Sequence, residues 1–118
     1  MKSITTFDIV LMPFPFTDLS TTKRRPVLIL HGYEWPKLPP HYLVAMVTSQ
    51  TDALKFPEDV RLGQWQEAGL PKISLVRLGK LVTLDGSLLI KRLGRLSTTD
   101  QTAIKRMFKR HYGHLVSG

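Results

Sequence analysis

At 118 residues the chain is long enough for one domain, taken here as 1–118, and short for two. Apolar residues make up 42% of it, enough to build a core, and the absence of cysteine removes disulfides, thiolate nucleophiles and Cys-based metal sites. Seventeen Lys and Arg against nine Asp and Glu give a net charge of +8, so the partners to expect are polyanions: nucleic acid, an acidic protein segment or an anionic membrane.

The first two-thirds of the chain carries strand patterns. Residues 8–12 form an apolar strand that Pro13 is expected to stop, and 13–24 is a turn-rich loop whose prolines block a regular ladder. Arg25-Pro26 opens a strand over 27–30, apolar on both faces and therefore expected to be central. A second proline-rich loop, 32–41, leads to an apolar strand over 42–47 that ends in Thr48-Ser49-Gln50. A short strand over 60–62 precedes a helical turn at 64–69 that Gly69 closes. Strands follow over 73–78 and 80–84, with Gly79 between them marking a bulge or sharp bend, and another extended segment spans 88–96.

The C-terminal part changes period. Ser97 or Thr98 can cap a helix, with Asp100 three residues after Ser97 in the manner of a capping box. Ile104, Met107, Phe108 and Leu115 recur at helical spacing, and Lys105, Arg106, Lys109 and Arg110 fall opposite them. The helix is expected to dock on the core and leave a solvated basic face. Many short strands and one terminal helix predict a mainly β, partly open antiparallel barrel. No basic, apolar leader opens the sequence, and apolar runs such as Val27-Leu28-Ile29-Leu30 fall far short of the ~20 residues that span a bilayer. The expectation is a soluble, cytoplasmic protein with no membrane partner.

Most site chemistries have no motif here. GxGxxG, P-loop, HExxH, CxxC and GxSxG patterns are all missing, which leaves cofactor, metal and serine-nucleophile chemistry without support. His111 and His114 are three apart on the helix but lack a third ligand in sequence, so no metal site is assigned. What remains is arginine-centred. Arg24-Arg25 sits where a loop meets a buried strand, a common place to build a site. Thr48 ends another apolar strand with Ser49 and Gln50 beside it. Arg77 shares a strand face with Ile73 and Leu75: a core-side position would require a phosphate or carboxylate partner, and an exposed one would make it a solubility residue.

Several segments, taken in order, resemble the PemK/MazF toxins of type II toxin-antitoxin systems. They are Asp8-Ile9-Val10-Leu11, Pro13-Phe14-Pro15-Phe16-Thr17-Asp18-Leu19, Lys23-Arg24-Arg25-Pro26-Val27-Leu28-Ile29-Leu30 and Met46-Val47-Thr48-Ser49-Gln50. Trp65-Gln66-Glu67-Ala68-Gly69-Leu70-Pro71, Val76-Arg77-Leu78, Lys80-Leu81-Val82-Thr83-Leu84-Asp85 and Lys91-Arg92-Leu93-Gly94-Arg95-Leu96 complete the set. Each piece is weak alone; the ordered series over nearly the whole chain is specific.

The resemblance implies an SH3-like barrel of the CcdB/PemK type with a C-terminal helix, assembled as a homodimer. It implies metal-independent cleavage of single-stranded RNA, with no cofactor, and an acidic antitoxin that covers the RNA groove. Carried over residue by residue, it implies Arg25, Thr48 and Arg77 as catalytic residues. Asp18 is the candidate general base, because the acidic position two after Arg77 is Gly79 in this chain. The RNA-binding candidates are Phe14, Phe16, Thr17, Lys23, Arg24, Ser49, Gln50 and Lys80. Phe14 and Phe16 could stack on unpaired bases or pack against the barrel. The family's usual glycine before Asp8 is Phe7 here. Two rival functions share these features: a CcdB-like toxin that poisons DNA gyrase, and a non-catalytic nucleic-acid-binding barrel.

Overall fold

A computed structural model describes residues 3–15, 22–51 and 56–117. Six strands, β1 (Asp8–Pro15), β2 (Thr22–Tyr33), β3 (His41–Thr48), β4 (Asp59–Arg61), β5 (Leu75–Asp85) and β6 (Lys91–Arg95), are followed by one helix, α1 (Thr98–Tyr112). The strands form a single antiparallel sheet in the order β4-β5-β3-β2-β1-β6, not closed into a full barrel among the described residues. The mainly β architecture with a terminal helix is the one the sequence predicts. None of the described helices is long and apolar enough to cross a membrane.

Both faces of the sheet are apolar at its centre. One face carries Ile9, Leu28, Ala45, Val47, Val76 and Leu78 and packs against Ile104 of α1. The other face carries Val10, Met12, Phe14, Val27, Ile29 and Val44. This explains the unbroken Val27-Leu28-Ile29 run, which lies fully buried in a strand with partners on both sides.

Three local outcomes differ from the sequence expectation. Pro13 does not stop β1, which runs on to Pro15. The Ile90 N–H donates to the Leu11 carbonyl at 2.8 Å, so Leu11 and every second residue after it turn their backbone groups toward the β6 side. The β6 pairing ends at Leu11, so Pro13 and Pro15 face a side with no strand among the described residues and forfeit no ladder bond. The two strands expected around Gly79 are one strand, β5. Its register against β3 jumps from Ala45↔Leu81 to Met46↔Arg77, leaving residues 78–80 as the bulge. Leu115 lies beyond α1 in a short 3₁₀ turn and is 71% exposed, so it does not continue the apolar stripe.

Other local signals take the expected form with a different wiring. Ser97 caps α1 by accepting from the Asp100 N–H at 3.2 Å. The Asp100 carboxylate does not reach back to the cap. It accepts from the Gly63 N–H at 3.0 Å and the Gln64 N–H at 2.9 Å, 37 and 36 residues earlier in sequence. The 64–69 turn forms, with Ala68 and Leu70 N–H groups both donating to the Trp65 carbonyl, and Gly69 takes φ +79°. Phe7 has φ +76°, the left-handed conformation that explains why a glycine is the family's usual residue there. Holding a side chain in it costs ~1–2 kcal/mol, offset by bonds from Phe7 N–H to Ile29 O at 2.8 Å and from Leu96 N–H to Phe7 O at 3.0 Å.

Candidate functional site

The β2–β3 register sets Val27 opposite Met46. Carried two residues toward the start of β2, it brings Arg25 level with Thr48. Both residues line one cavity of about 260 Å³ at this end of the sheet. Lys23, Arg24 and Arg25 come from the start of β2, Thr48 and Ser49 from the end of β3, and Leu70, Pro71, Lys72 and Ser74 from the segment leading into β5. Among the described residues, the cavity therefore has four cationic side chains, three hydroxyls and no carboxylate on its walls. That is the electrostatic complement of a phosphodiester.

Each wall is held by identifiable bonds. Thr48 is buried at 5% exposure, and its Oγ1 accepts from the Gln50 N–H at 3.2 Å, which folds the chain sharply after β3. Ser74 is also buried and donates from Oγ to the Lys72 carbonyl at 2.8 Å. The 64–71 wall is tied to the helix through Asp100. Arg25 is half-buried opposite Met12, and burial lowers its pKa below the ordinary arginine value.

Arg77 does not line this cavity. It lies opposite Met46 on β5, on the same sheet face as Val27, two strand spacings or about 10 Å across. Its side chain is 14% exposed and its Nε donates to Asp59 Oδ2 at 3.4 Å. Of the two positions open for Arg77, the structure takes the buried one with a carboxylate partner. Asp59 Oδ1 is buried with no hydrogen-bond partner among the described residues. Asp59 Oδ2 also accepts from the Phe56 N–H at 3.1 Å. The Arg77 guanidinium carbon stands 4.9 Å and Lys80 Nζ 5.9 Å from the centre of the Phe56 ring.

Gly79 leaves room that another residue occupies. A Cβ at position 79 would meet Glu58 Oε1 at 3.3 Å and Glu58 Cδ at 3.7 Å. A carboxylate thus stands beside residue 79, supplied by the residue before β4 instead of by β5.

The sequence-predicted residues separate into groups. Lys23, Arg24, Arg25, Thr48 and Ser49 meet in the cavity, and Gln50 joins them through its backbone. Arg77 and Lys80 meet at Phe56. Phe14 is 6% exposed and packs with Val10, Met12 and Val27, so of its two alternatives the structure takes packing against the sheet over stacking on bases. Phe16, Thr17 and Asp18 lie outside the described residues. Sequence reasoning passed over Lys72, Ser74, Phe56, Glu58 and Asp59. Only the alternation around Val60 could have placed Asp59 near a sheet position. Among the described residues, no group of three or more His, Asp or Glu is placed to hold a metal ion.

Comparison with known proteins agrees in fold and family. The family profile described as the PemK-like, MazF-like toxin of type II toxin-antitoxin systems matches residues 5–112. No curated protein matches the sequence. Among solved structures, an endoribonuclease in complex with its cognate antitoxin, from Mycobacterial species, superposes with a TM-score of 0.69 at 14% identity, covering 94% of this chain and 96% of that one. The Mycobacterium tuberculosis toxin MazF-mt6 gives 0.66 at 24% identity over 90% and 96%. MazF from Deinococcus radiodurans gives 0.67 at 20% identity over 96% and 99%.

Proposed function

Because the chain belongs to the PemK-like, MazF-like toxin family of type II toxin-antitoxin systems, we propose that it is the toxin of such a system and acts as a metal-independent endoribonuclease on single-stranded RNA. The observation that carries this reading is the convergence of Arg25 and Thr48 on a cavity with four cationic side chains and, among the described residues, no carboxylate. Two of the structurally similar proteins are themselves described as endoribonucleases.

The reaction uses the RNA's own nucleophile. The 2′-oxygen forms a bond to the adjacent phosphorus, the bond from phosphorus to the 5′-oxygen breaks, and the products are a 2′,3′-cyclic phosphate and a 5′-hydroxyl. A base must take the 2′-hydroxyl proton, an acid must give one to the 5′-oxygen, and cations must stabilise the charge that builds on the phosphoryl oxygens. Arg25 holds those oxygens with its planar fork. Arg25 is also the proposed proton donor to the leaving oxygen. Thr48 orients the phosphate, and Arg77 adds positive charge from the neighbouring strand. The base is a carboxylate: Asp18, or Glu58, which stands beside Gly79.

Lys23, Arg24, Ser49, Gln50 and Lys80 bind the RNA backbone around this centre, and Phe16 and Thr17 contact it from the β1–β2 connection. The active unit is a homodimer in the cytoplasm, and an acidic antitoxin segment neutralises the basic groove. Complexes of a toxin with its antitoxin are known for similar structures. The deciding experiment is incubation of the purified protein with defined single-stranded RNA in excess EDTA, beside Arg25→Ala. Cutting by the parent with cyclic phosphate ends, reduced ~10²–10³-fold in the variant, is the expected result. Intact RNA that is nevertheless bound, with strong salt dependence, identifies a binding-only barrel instead; 3′-hydroxyl ends overturn the 2′-hydroxyl mechanism.

A further inference from the structure

Phe56 has no place in either apolar cluster of the molecule and is 38% exposed. Its position is nonetheless fixed. Its N–H donates to Asp59 Oδ2 at 3.1 Å, and the Asp59 N–H donates back to the Phe56 carbonyl at 3.0 Å, closing a tight turn just before β4. Two cations from β5 reach its ring, the Arg77 guanidinium at 4.9 Å and Lys80 Nζ at 5.9 Å. Arg77 is itself fastened to Asp59. An exposed aromatic ring with two cations against it, on a hydrogen-bonded turn, does little for the core. It is the arrangement by which single-stranded nucleic acid is held, a base stacking on the ring and its phosphate meeting the cations.

Resting on the ribonuclease reading, we infer that Phe56, with Arg77 and Lys80, forms a nucleobase subsite beside the cleavage cavity. In the row Val27–Met46–Arg77 the two places lie about 10 Å apart across β2, β3 and β5, within the reach of one RNA strand that touches both Arg25 and Phe56. The subsite takes an unpaired base next to the scissile phosphate. Through Phe56 it sets grip and site selection, while Arg77 also lends its charge to the reaction centre. Asp59 is a positioning residue, since it fixes both the ring's turn and Arg77 without facing the ligand.

The test uses the full-length protein and a short single-stranded RNA carrying one 2′-deoxy nucleotide at the cleaved position, so that binding is read without cutting. Stacking of one base on an aromatic ring is lost with about a 10- to 100-fold weakening. Phe56→Ala and Phe56→Leu are both expected to weaken binding in that range, and Phe56→Trp to restore it. Melting temperatures should stay at the parent's value, because the ring lies outside the core. Phe56→Leu keeps apolar bulk, so it carries the test even if Phe56→Ala folds poorly. If the parent binds and both variants bind equally well, the subsite is wrong and the ribonuclease reading stands. A parent that binds this RNA but never cuts its all-ribonucleotide counterpart, with binding lost in the variants, keeps the subsite and removes the nuclease. A parent that binds no RNA overturns both.

Discussion

Gly69 and Gly94 meet backbone to backbone. A Cβ on Gly94 would lie 2.5 Å from the Ala68 carbonyl carbon and 2.9 Å from the Gly69 nitrogen, and one on Gly69 would run into the Leu93 carbonyl oxygen. Gly69 is further restricted by its φ of +79°. The contact presses the 64–70 turn, which carries one wall of the cavity, onto β6. Gly94→Ala forces two backbones apart and is expected to cost several kcal/mol, an effect in the class of severe overpacking. Circular dichroism should show a large drop in melting temperature or an unfolded chain; a variant that melts like the parent would show that β6 shifts freely.

Arg25 sets stability against function. Burial lowers its pKa, which means that the folded state disfavours its charged form relative to the unfolded chain. At neutral pH the residue is charged in both states, so its charge weighs against folding. Arg25→Met removes that charge and keeps the length of the side chain. The expected result is a melting temperature equal to or above the parent's, together with a ~10²–10³-fold loss of cleavage. A melting temperature several degrees lower would make Arg25 a structural residue.

The two carboxylate candidates for the base are separable by pH. If Glu58 takes the 2′-hydroxyl proton, Glu58→Gln abolishes the acidic limb of the kcat/KM profile, and Asp18→Asn leaves that limb in place. The reverse pattern assigns the base to Asp18. A limb that survives both substitutions removes carboxylate catalysis from the mechanism.

Asp85 offers a pH effect on stability. The Ser87 backbone N–H, donating at 2.8 Å, holds the Asp85 carboxyl below its ordinary value, with smaller help from the Ser87 side chain and from the charge of His41. A lowered folded pKa contributes stability that is fully present above the unfolded value, ~3.9, and disappears as pH falls through the folded one. Asp85→Ala is therefore expected to melt below the parent at about pH 6, with the two curves converging in stronger acid. Parallel curves across the range would contradict the shift.

Much of this was legible in the residues. Val27-Leu28-Ile29 announced a strand buried on both faces, Ser97 announced the start of α1, and Gly79 announced the bulge in β5. Arg25 and Thr48 stood out because each joins an apolar strand to a polar turn, and the cavity holds both. What stayed hidden depends on contacts between distant parts of the chain. Pro13 is tolerated only because β6 ends early, a feature of the partner strand. Phe56, Glu58 and Asp59 gain meaning from the pairing of three-residue β4 with β5, too short a strand to show a period. Asp100 looked like half of a capping box, and its real partners lie 36 and 37 residues away.

The order in which the cavity is completed follows from those last ties. Every wall residue, from Lys23 to Ser74, is synthesised before Leu75. The parts that hold the 64–71 wall in place, Gly94 against Gly69 and Asp100 on Gly63 and Gln64, come only afterwards. A ribosome that has made residues 1–90 has made every side chain of the cavity and none of these braces. The cavity gains its finished form only once residues 94–100 have been translated, so a shorter nascent chain carries the cations without the shape.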